Sequence, residues 1–280
     1  MAGSRPVAHI TTPVAAVAAQ PPSWATLVRA PNPGPMTLDG TNTWVLRATA
    51  ATPAVVVDPG PADEGHLRAV AAHGPVAAVL VTHGHPDHVG GLARFRELSG
   101  ADVATLSDGS PADLAGLRIT AVATPGHTAD SVCYLVEGGG ERAVLTGDTI
   151  LGRGTTVVAW PDGNLGDYLA SLRRLVELGP VQVLPGHGPM LADCAAAAAY
   201  YLRHRRDRLE QVRRAVADGA TSPADVVARV YPDLDPALRQ AAEWSVRAQL
   251  EHLRRESRSP SAEPDNGPES RAGPTMLDRL

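Results

Sequence analysis

Thr82-His83-Gly84-His85-Pro86-Asp87-His88 places three imidazoles and a carboxylate within seven residues. Imidazole nitrogen and carboxylate oxygen are ligands that zinc accepts readily, whereas clustered histidines serve no packing purpose. The preceding run, Val76-Ala77-Ala78-Val79-Leu80-Val81, is short and apolar like a buried strand. The motif therefore sits where a strand leaves a sheet. Side chains alternate along an extended chain, so His83 and His85 point the same way and can chelate one ion. Pro86 then turns the chain, and Asp87 and His88 can face a second ion before Gly90-Gly91 opens a helix-like run, Leu92 to Leu98.

Three further strand-like runs end in turns that carry His or Asp. Ile119–Ala123 leads to Thr124-Pro125-Gly126-His127-Thr128, Ala143–Leu145 to Thr146-Gly147-Asp148-Thr149, and Val181–Leu184 to Pro185-Gly186-His187-Gly188. Glycine at such turns lets the backbone approach an ion closely. Alone, His127 or His187 would read as a turn residue. Four such exits together read as one site at a common sheet edge.

In this order the motifs resemble those of the metallo-β-lactamase superfamily, over about Asn32 to His187. The resemblance implies an α/β fold, the αββα sandwich of two facing mixed sheets with helices outside. It also implies two zinc ions per chain, with manganese or iron as alternatives. One ion would be held by His83, His85 and His127, the other by Asp87, His88 and His187, with Asp148 bridging them. Asn32-Pro33-Gly34-Pro35-Met36-Thr37, Asn42-Thr43 and Gly147–Gly152 look most like the lactamase-B-like protein 2 family, which includes an endoribonuclease acting on single-stranded RNA. Glyoxalase II, a thioester hydrolase, is the next resemblance. Asp148 stands where the commonest true β-lactamases carry a cysteine ligand, so antibiotic hydrolysis is a poor expectation.

Composition narrows the remaining classes. There is no lysine, which excludes Schiff-base chemistry, and a net charge of −5 gives no global attraction to nucleic acid or anionic lipid. Cys133 and Cys194 are the only cysteines. A disulfide framework is excluded and a reducing, cytoplasmic location is expected. No apolar stretch approaches membrane-spanning length, so no membrane partner is expected.

Taken in order, residues 1–23 read as a disordered leader, 24–200 as the catalytic domain, 201–257 as a helical, winged-helix-like appendage and 258–280 as a disordered tail. Leu27-Val28 and Thr41–Leu46 look like an opening hairpin, and Ala54–Val57 is a further buried strand that ends at Asp58. Asp58 reads as a turn or cap residue, with a role in orienting a metal ligand as the alternative. His66 and His73, on a helix over 64–73, read as surface histidines. Asp167 to Leu178 reads as a helix packing Leu169, Leu172, Leu175 and Val176 inward, with Tyr168 in the core. A long helix runs from Ala192 to Asp218, and Ser222-Pro223 and Asp235-Pro236 start two more. No wing hairpin follows Leu253, which argues against specific reading of duplex DNA.

Asn42, Arg153 and Thr155 are the candidate substrate contacts. Arg153 on Gly152–Thr156 is either a phosphate or carboxylate anchor or a solvated loop residue. Arg203, Arg205, Arg206, Arg208, Arg213 and Arg214 either track a nucleic-acid backbone or form a solvated helix face.

These readings converge on a dinuclear zinc hydrolase that uses a metal-bridging hydroxide, with Asp87 orienting it and passing its proton. The leading substrate is a phosphodiester such as single-stranded RNA. The rival is a small thioester or acyl ester. A non-catalytic binding module with a structural metal is the reading from another class. Structural zinc sites are closed by four protein ligands, and this set leaves room for water. Iron-dependent persulfide oxidation, known elsewhere in the superfamily, would use one metal and leave the second ligand set without a role.

Overall fold

The computed structural model describes residues 15–258. Two sheets face each other. Strands β1 (Ala25–Arg29), β2 (Asn42–Leu46), β3 (Ala54–Val57) and β4 (Val76–Leu80) form the first, in that order. Strands β5 (Pro111–Leu114), β6 (Leu117–Ala123), β7 (Val132–Gly138), β8 (Glu141–Gly147) and β9 (Gln182–Pro185) form the second. The β3–β4 and β8–β9 pairs are parallel and the rest antiparallel, so each sheet is mixed.

The apolar faces dictate the layers. Trp44, Leu46, Val55, Val57 and Leu80 of the first sheet meet Ile119, Tyr134, Val136 and Leu145 of the second, closing a shared core. Because both faces of each sheet are apolar, each also buries an outer face. Leu67 and Val70 of α1 (Glu64–Ala71) and Phe95 cover the first sheet through Val45, Val56 and Val79. Phe95 belongs to α3 (Leu92–Ser99), which follows the single turn α2 (Pro86–Val89). The second sheet is covered by α4 (Leu165–Glu177) and α5 (Cys194–Ala217), with Leu169, Leu172 and Tyr201 packed on Val144 and Val183. This is the expected αββα sandwich. Asp63, Asn164 and Asp193 cap α1, α4 and α5 by accepting the amide of the third residue onward.

The C-terminal appendage is α6 (Pro223–Val230), capped by Ser222, then a 3-10 turn (Pro236–Leu238) and α7 (Arg239–Arg258). Ala242, Val246, Leu250 and Leu253 form the buried stripe of α7 and join the core of the second sheet. Leu238 lies on the preceding turn, half-buried. Among the described residues no strand follows β9, so no wing hairpin accompanies these helices. The domain boundary expected at residue 200 falls inside the unbroken α5.

Several expectations need correction. The described end of the leader is held in place: Val17 bridges Leu191, and the Ala18 amide donates to the Met190 carbonyl. Residues 1–14 and 259–280 lie outside the described part. His66 is buried at 4 % exposure, its Nε2 2.9 Å from the Thr43 hydroxyl, because α1 turns that face onto the first sheet. β5 and β7 go beyond the strands expected from the sequence. Pro111 disguises the first, and the Cys133–Val136 run of the second is too short for periodicity to classify.

Candidate metal centre

All four strand exits open at one edge of the sandwich. The exit of β4 supplies His83, His85 and, through α2, Asp87 and His88, and that of β6 supplies His127. Asp148 follows β8, and His187 follows β9. Two groups result: His83, His85, His127 and Asp148 in one, Asp87, His88 and His187 in the other. Within each, the ligand atoms lie within 4.8 Å of one another.

The ring nitrogens crowd in a way that hydrogen bonding does not explain. His83 Nε2 lies 3.0 Å from His85 Nδ1, which is 3.1 Å from His127 Nε2, and His88 Nε2 lies 3.3 Å from His187 Nε2. One imidazole nitrogen can share a proton with one neighbour, not with several at once. Asp148 spans the groups. Its Oδ1 is 3.4 Å from both His88 Nε2 and His187 Nε2, and its Oδ2 is 3.7 Å from His127 Nε2. That Oδ1 is buried without a hydrogen-bond partner. Converging lone pairs and an orphaned carboxylate oxygen fit divalent cations at both groups.

The surroundings fix the rings of His127 and His88. His127 Nδ1 lies 2.6 Å from the Val157 carbonyl and 3.2 Å from the Thr156 hydroxyl, so Nε2 faces the site. Asp58 accepts from the Thr82 amide and hydroxyl at 2.8 and 2.7 Å, and its Oδ2 is 2.8 Å from His88 Nδ1. Asp58 thus turns the chain, at φ +52°, and also holds the ring of His88, so the turn role and the alternative read from the sequence, orienting a candidate ligand, meet in one residue. Two glycines are required by space. A Cβ at Gly186 would stand 2.7 Å from Asp148 Oδ1, and one at Gly147 would stand 2.4 Å from the Thr82 hydroxyl.

The charges separate the two groups. Burial drives His83 down to about 2 and lowers His127, keeping these rings neutral with lone pairs available. Burial also opposes charge on His88 and His187, but the Asp148 carboxylate outweighs it, lifting His88 well above the usual range and His187 to about 9. Burial would raise Asp87, yet its hydrogen bond from His187 and the charge of His88 hold it down at about 2. Asp148 is likewise an anion, burial being outweighed by the same two histidines.

The three candidate substrate contacts fare differently. Asn42 is 1 % exposed and its amide donates to the Pro185 and Gly188 carbonyls at 3.0 Å each, so it braces the His187 turn and is not available to substrate. Arg153 lines the cleft beside the metal edge, but a bidentate pair with Asp39 at 2.6 and 2.8 Å already holds its guanidinium. Thr155 also lines that cleft, 3.5 Å from His204 Nε2.

The cleft, about 930 Å³ with its open mouth, is lined by His127 and Asp148 of the metal edge. Tyr231, Leu234, Leu238, Ala241 and Ala242 of the C-terminal helices form one wall, and His204, Arg205 and Arg208 of α5 another. Sequence reasoning missed this helical wall, because no local motif marks residues brought together only by packing. One signal was readable: Arg205 falls in register with Tyr201, Leu202, Leu209 and Val212 on the buried stripe of α5.

The metallo-beta-lactamase superfamily model matches residues 36–112 and 102–187, and the model of a beta-lactamase associated winged helix domain matches 222–259. A beta-lactamase-like protein 2 homolog of Caenorhabditis elegans is 31 % identical over 79 % of this chain and 81 % of its own. An atrochrysone carboxyl ACP thioesterase of Aspergillus fumigatus is 33 % identical over 71 % of each chain. The crystal structure of a metallo-beta-lactamase family protein from Thermus thermophilus superimposes with a TM-score of 0.68, covering 84 % of this chain and 94 % of that one at 24 % identity. With its two matched segments and its His/Asp cluster at the sandwich edge, the chain belongs to the metallo-beta-lactamase superfamily and is a metal-dependent hydrolase.

Proposed function

We propose that the chain is a dinuclear zinc hydrolase that cleaves a thioester or related acyl ester, with manganese or iron as metals the same donors would accept. The observation that carries the substrate class is the cleft itself. Its helical wall, formed by Tyr231, Leu234, Leu238, Ala241 and Ala242, is apolar and suits the acyl part of a small molecule. The basic run of α5 offers no continuous track for a nucleic-acid backbone. Arg213 and Arg214 both bind Glu210, at 2.9 and 3.1 Å, and Arg205 is buried. The name of the Aspergillus fumigatus relative points the same way.

His83, His85, His127 and Asp148 would hold one ion, and Asp87, His88, His187 and the second oxygen of Asp148 the other. Bound there, the ions supply Lewis acidity and a water ionised near neutral pH. Asp87, anionic and 26 % exposed at its side chain, lies at the site to take up the proton of that water. Asp58 and Val157 hold the rings of His88 and His127 in the orientation binding requires. The helical wall excludes solvent from the acyl group. Hydrolysis would leave the water's oxygen on the acyl carbon and break the carbon–sulfur bond with its electron pair on sulfur, and the departing thiolate, whose conjugate thiol has a pKa of about 8.5, needs little help from an acid.

A second reading, cleavage of a phosphodiester such as single-stranded RNA, is favoured by the two guanidinium groups of Arg205 and Arg208 on the cleft wall. Zinc-loaded protein assayed on butyryl-N-acetylcysteamine and on single-stranded RNA separates the readings. Thioester turnover that Asp148→Asn abolishes supports the proposal. RNA cleavage with the thioester untouched would move the assignment to the phosphodiester.

A further inference from the structure

The arginines near the cleft divide into two kinds. Arg153, Arg213 and Arg214 each meet a carboxylate. Arg205 and Arg208 do not pair with a carboxylate among the described residues, although both line the cleft. Arg205 is only 3 % exposed. It donates through Nη2 to the Thr156 carbonyl, lies over the Tyr168 ring at 5.2 Å, and leaves its Nε without a partner. Arg208 lies over the Tyr231 ring at 4.2 Å and donates through Nη1 to the Val230 carbonyl and Gln211 Oε1, at 3.0 and 2.7 Å.

A carbonyl and a ring face compensate a desolvated guanidinium only in part, since neither carries a negative charge. Arg208, half-buried, lies three residues on along the same helix face, so the two guanidinium groups act on the same volume. That volume abuts the metal edge, because Thr156, which Arg205 grips, has its hydroxyl 3.2 Å from His127 Nδ1. The missing counter-charge has a place to arrive, in the cleft. The planar fork of arginine matches a carboxylate or phosphate.

We propose that the Arg205–Arg208 face of α5 is an anion subsite that holds a carboxylate or phosphate of the substrate, so that the enzyme selects anionic thioesters over neutral ones. The inference rests on the thioester reading for the scissile bond, though the subsite can be tested without it. The competing role for Arg205 is positioning: holding the Thr156 segment and, through it, His127.

Three thioesters distinguish the sources of the anion. Butyryl-N-acetylcysteamine is neutral, glutaryl-N-acetylcysteamine carries a carboxylate on the acyl side, and butyryl-phosphopantetheine carries a phosphate on the leaving side. The expected result is a KM at least tenfold lower for one anionic substrate than for the neutral one. Arg208→Gln should reduce that preference, the ratio of kcat/KM values, by at least tenfold through KM. Arg205→Lys should reduce it less, since a charge remains. Equal KM values for the three substrates would overturn the subsite, as would variants that lower kcat for all three in proportion, which is the signature of positioning.

Calorimetric binding of glutarate and inorganic phosphate to zinc-loaded wild type and Arg208→Gln reads the subsite independently of turnover. Affinity taken by the metals is common to both proteins, so the difference reports the arginine. A loss of tenfold or more in the variant supports the subsite even if no thioester is cleaved, in which case the proposed reaction falls and the subsite stands. Equal binding by both proteins overturns it.

Discussion

The metal edge and the helical wall face each other across one cleft and are built on opposite principles. At the edge, each candidate ligand is placed by short-range chain geometry, where a strand stops and the chain turns, and only the contacts behind the rings, such as Asp58 on His88 and Val157 on His127, come from afar. On the wall, residues from α5, the loop after α6 and the start of α7 meet only because the C-terminal helices bury Ala242, Val246 and Leu250 against the second-sheet core. The edge is rigid in its chemistry, since its donors fit a divalent cation and little else. Under the proposed function the wall would select the substrate, because its side chains can change without disturbing the His/Asp cluster. The difference separates the residues that could hold a metal from those that the proposed function assigns to the substrate.

Asp148→Asn is the largest test of the edge. Removing the anionic oxygen that spans both groups should lower kcat/KM by about a thousandfold or more, the several kcal/mol that Lewis-acid stabilisation supplies. Elemental analysis of the same variant should show metal loss, and full metal content with full activity would break the assignment. Asp58→Ala tests the shell behind the ligands. Freed from its 2.8 Å contact, His88 should lose orientation, with a cost of about 10–100-fold in metal affinity or activity. Chelator titration measures it, and unchanged affinity would return Asp58 to a turn role.

Leu234→Asp tests the wall. A carboxylate on the apolar side should lower kcat/KM for a butyryl thioester about tenfold, the effect of losing one or two methylenes' worth of contact, with metal content unchanged. A loss of metal instead would show that edge and wall are not separable. His66→Ala lies outside both and sets the scale of a structural defect. It leaves the buried Thr43 hydroxyl with one partner fewer and should cost about 1–3 kcal/mol by denaturant unfolding, with kcat little changed. Arg153→Gln is the smallest effect. Its pair with Asp39 is half-exposed at the surface and worth about 0–1 kcal/mol, so a tenfold rise in KM would restore it as a substrate anchor.

Most of the fold and of the edge is legible in the chain. Val76–Leu80 and Ala54–Val57 are short β-branched runs, α1 and α4 show in their apolar spacing, and α6 shows in its Ser222-Pro223 start. His66 reads as exposed and is not, because a lone histidine on a helix gives no sign of which face will meet a sheet. Asn42 and Arg153 mislead for a related reason. Their residue types suit substrate binding, and only the fold shows the carbonyls of Pro185 and Gly188 and the carboxylate of Asp39 already holding them.

The seven residues of the metal edge follow from the order of amino acids, since ligands at strand exits need only local turns and a common sheet edge to converge. Packing was needed to bring Asp58 across 30 positions to His88, and to close the cleft with the apolar face of the C-terminal helices. Packing also sorts the arginines of α5 into those that meet a carboxylate and those that line the cleft. Such contacts depend on helix rotation and on the docking of one element against another, which a local pattern of residues does not encode.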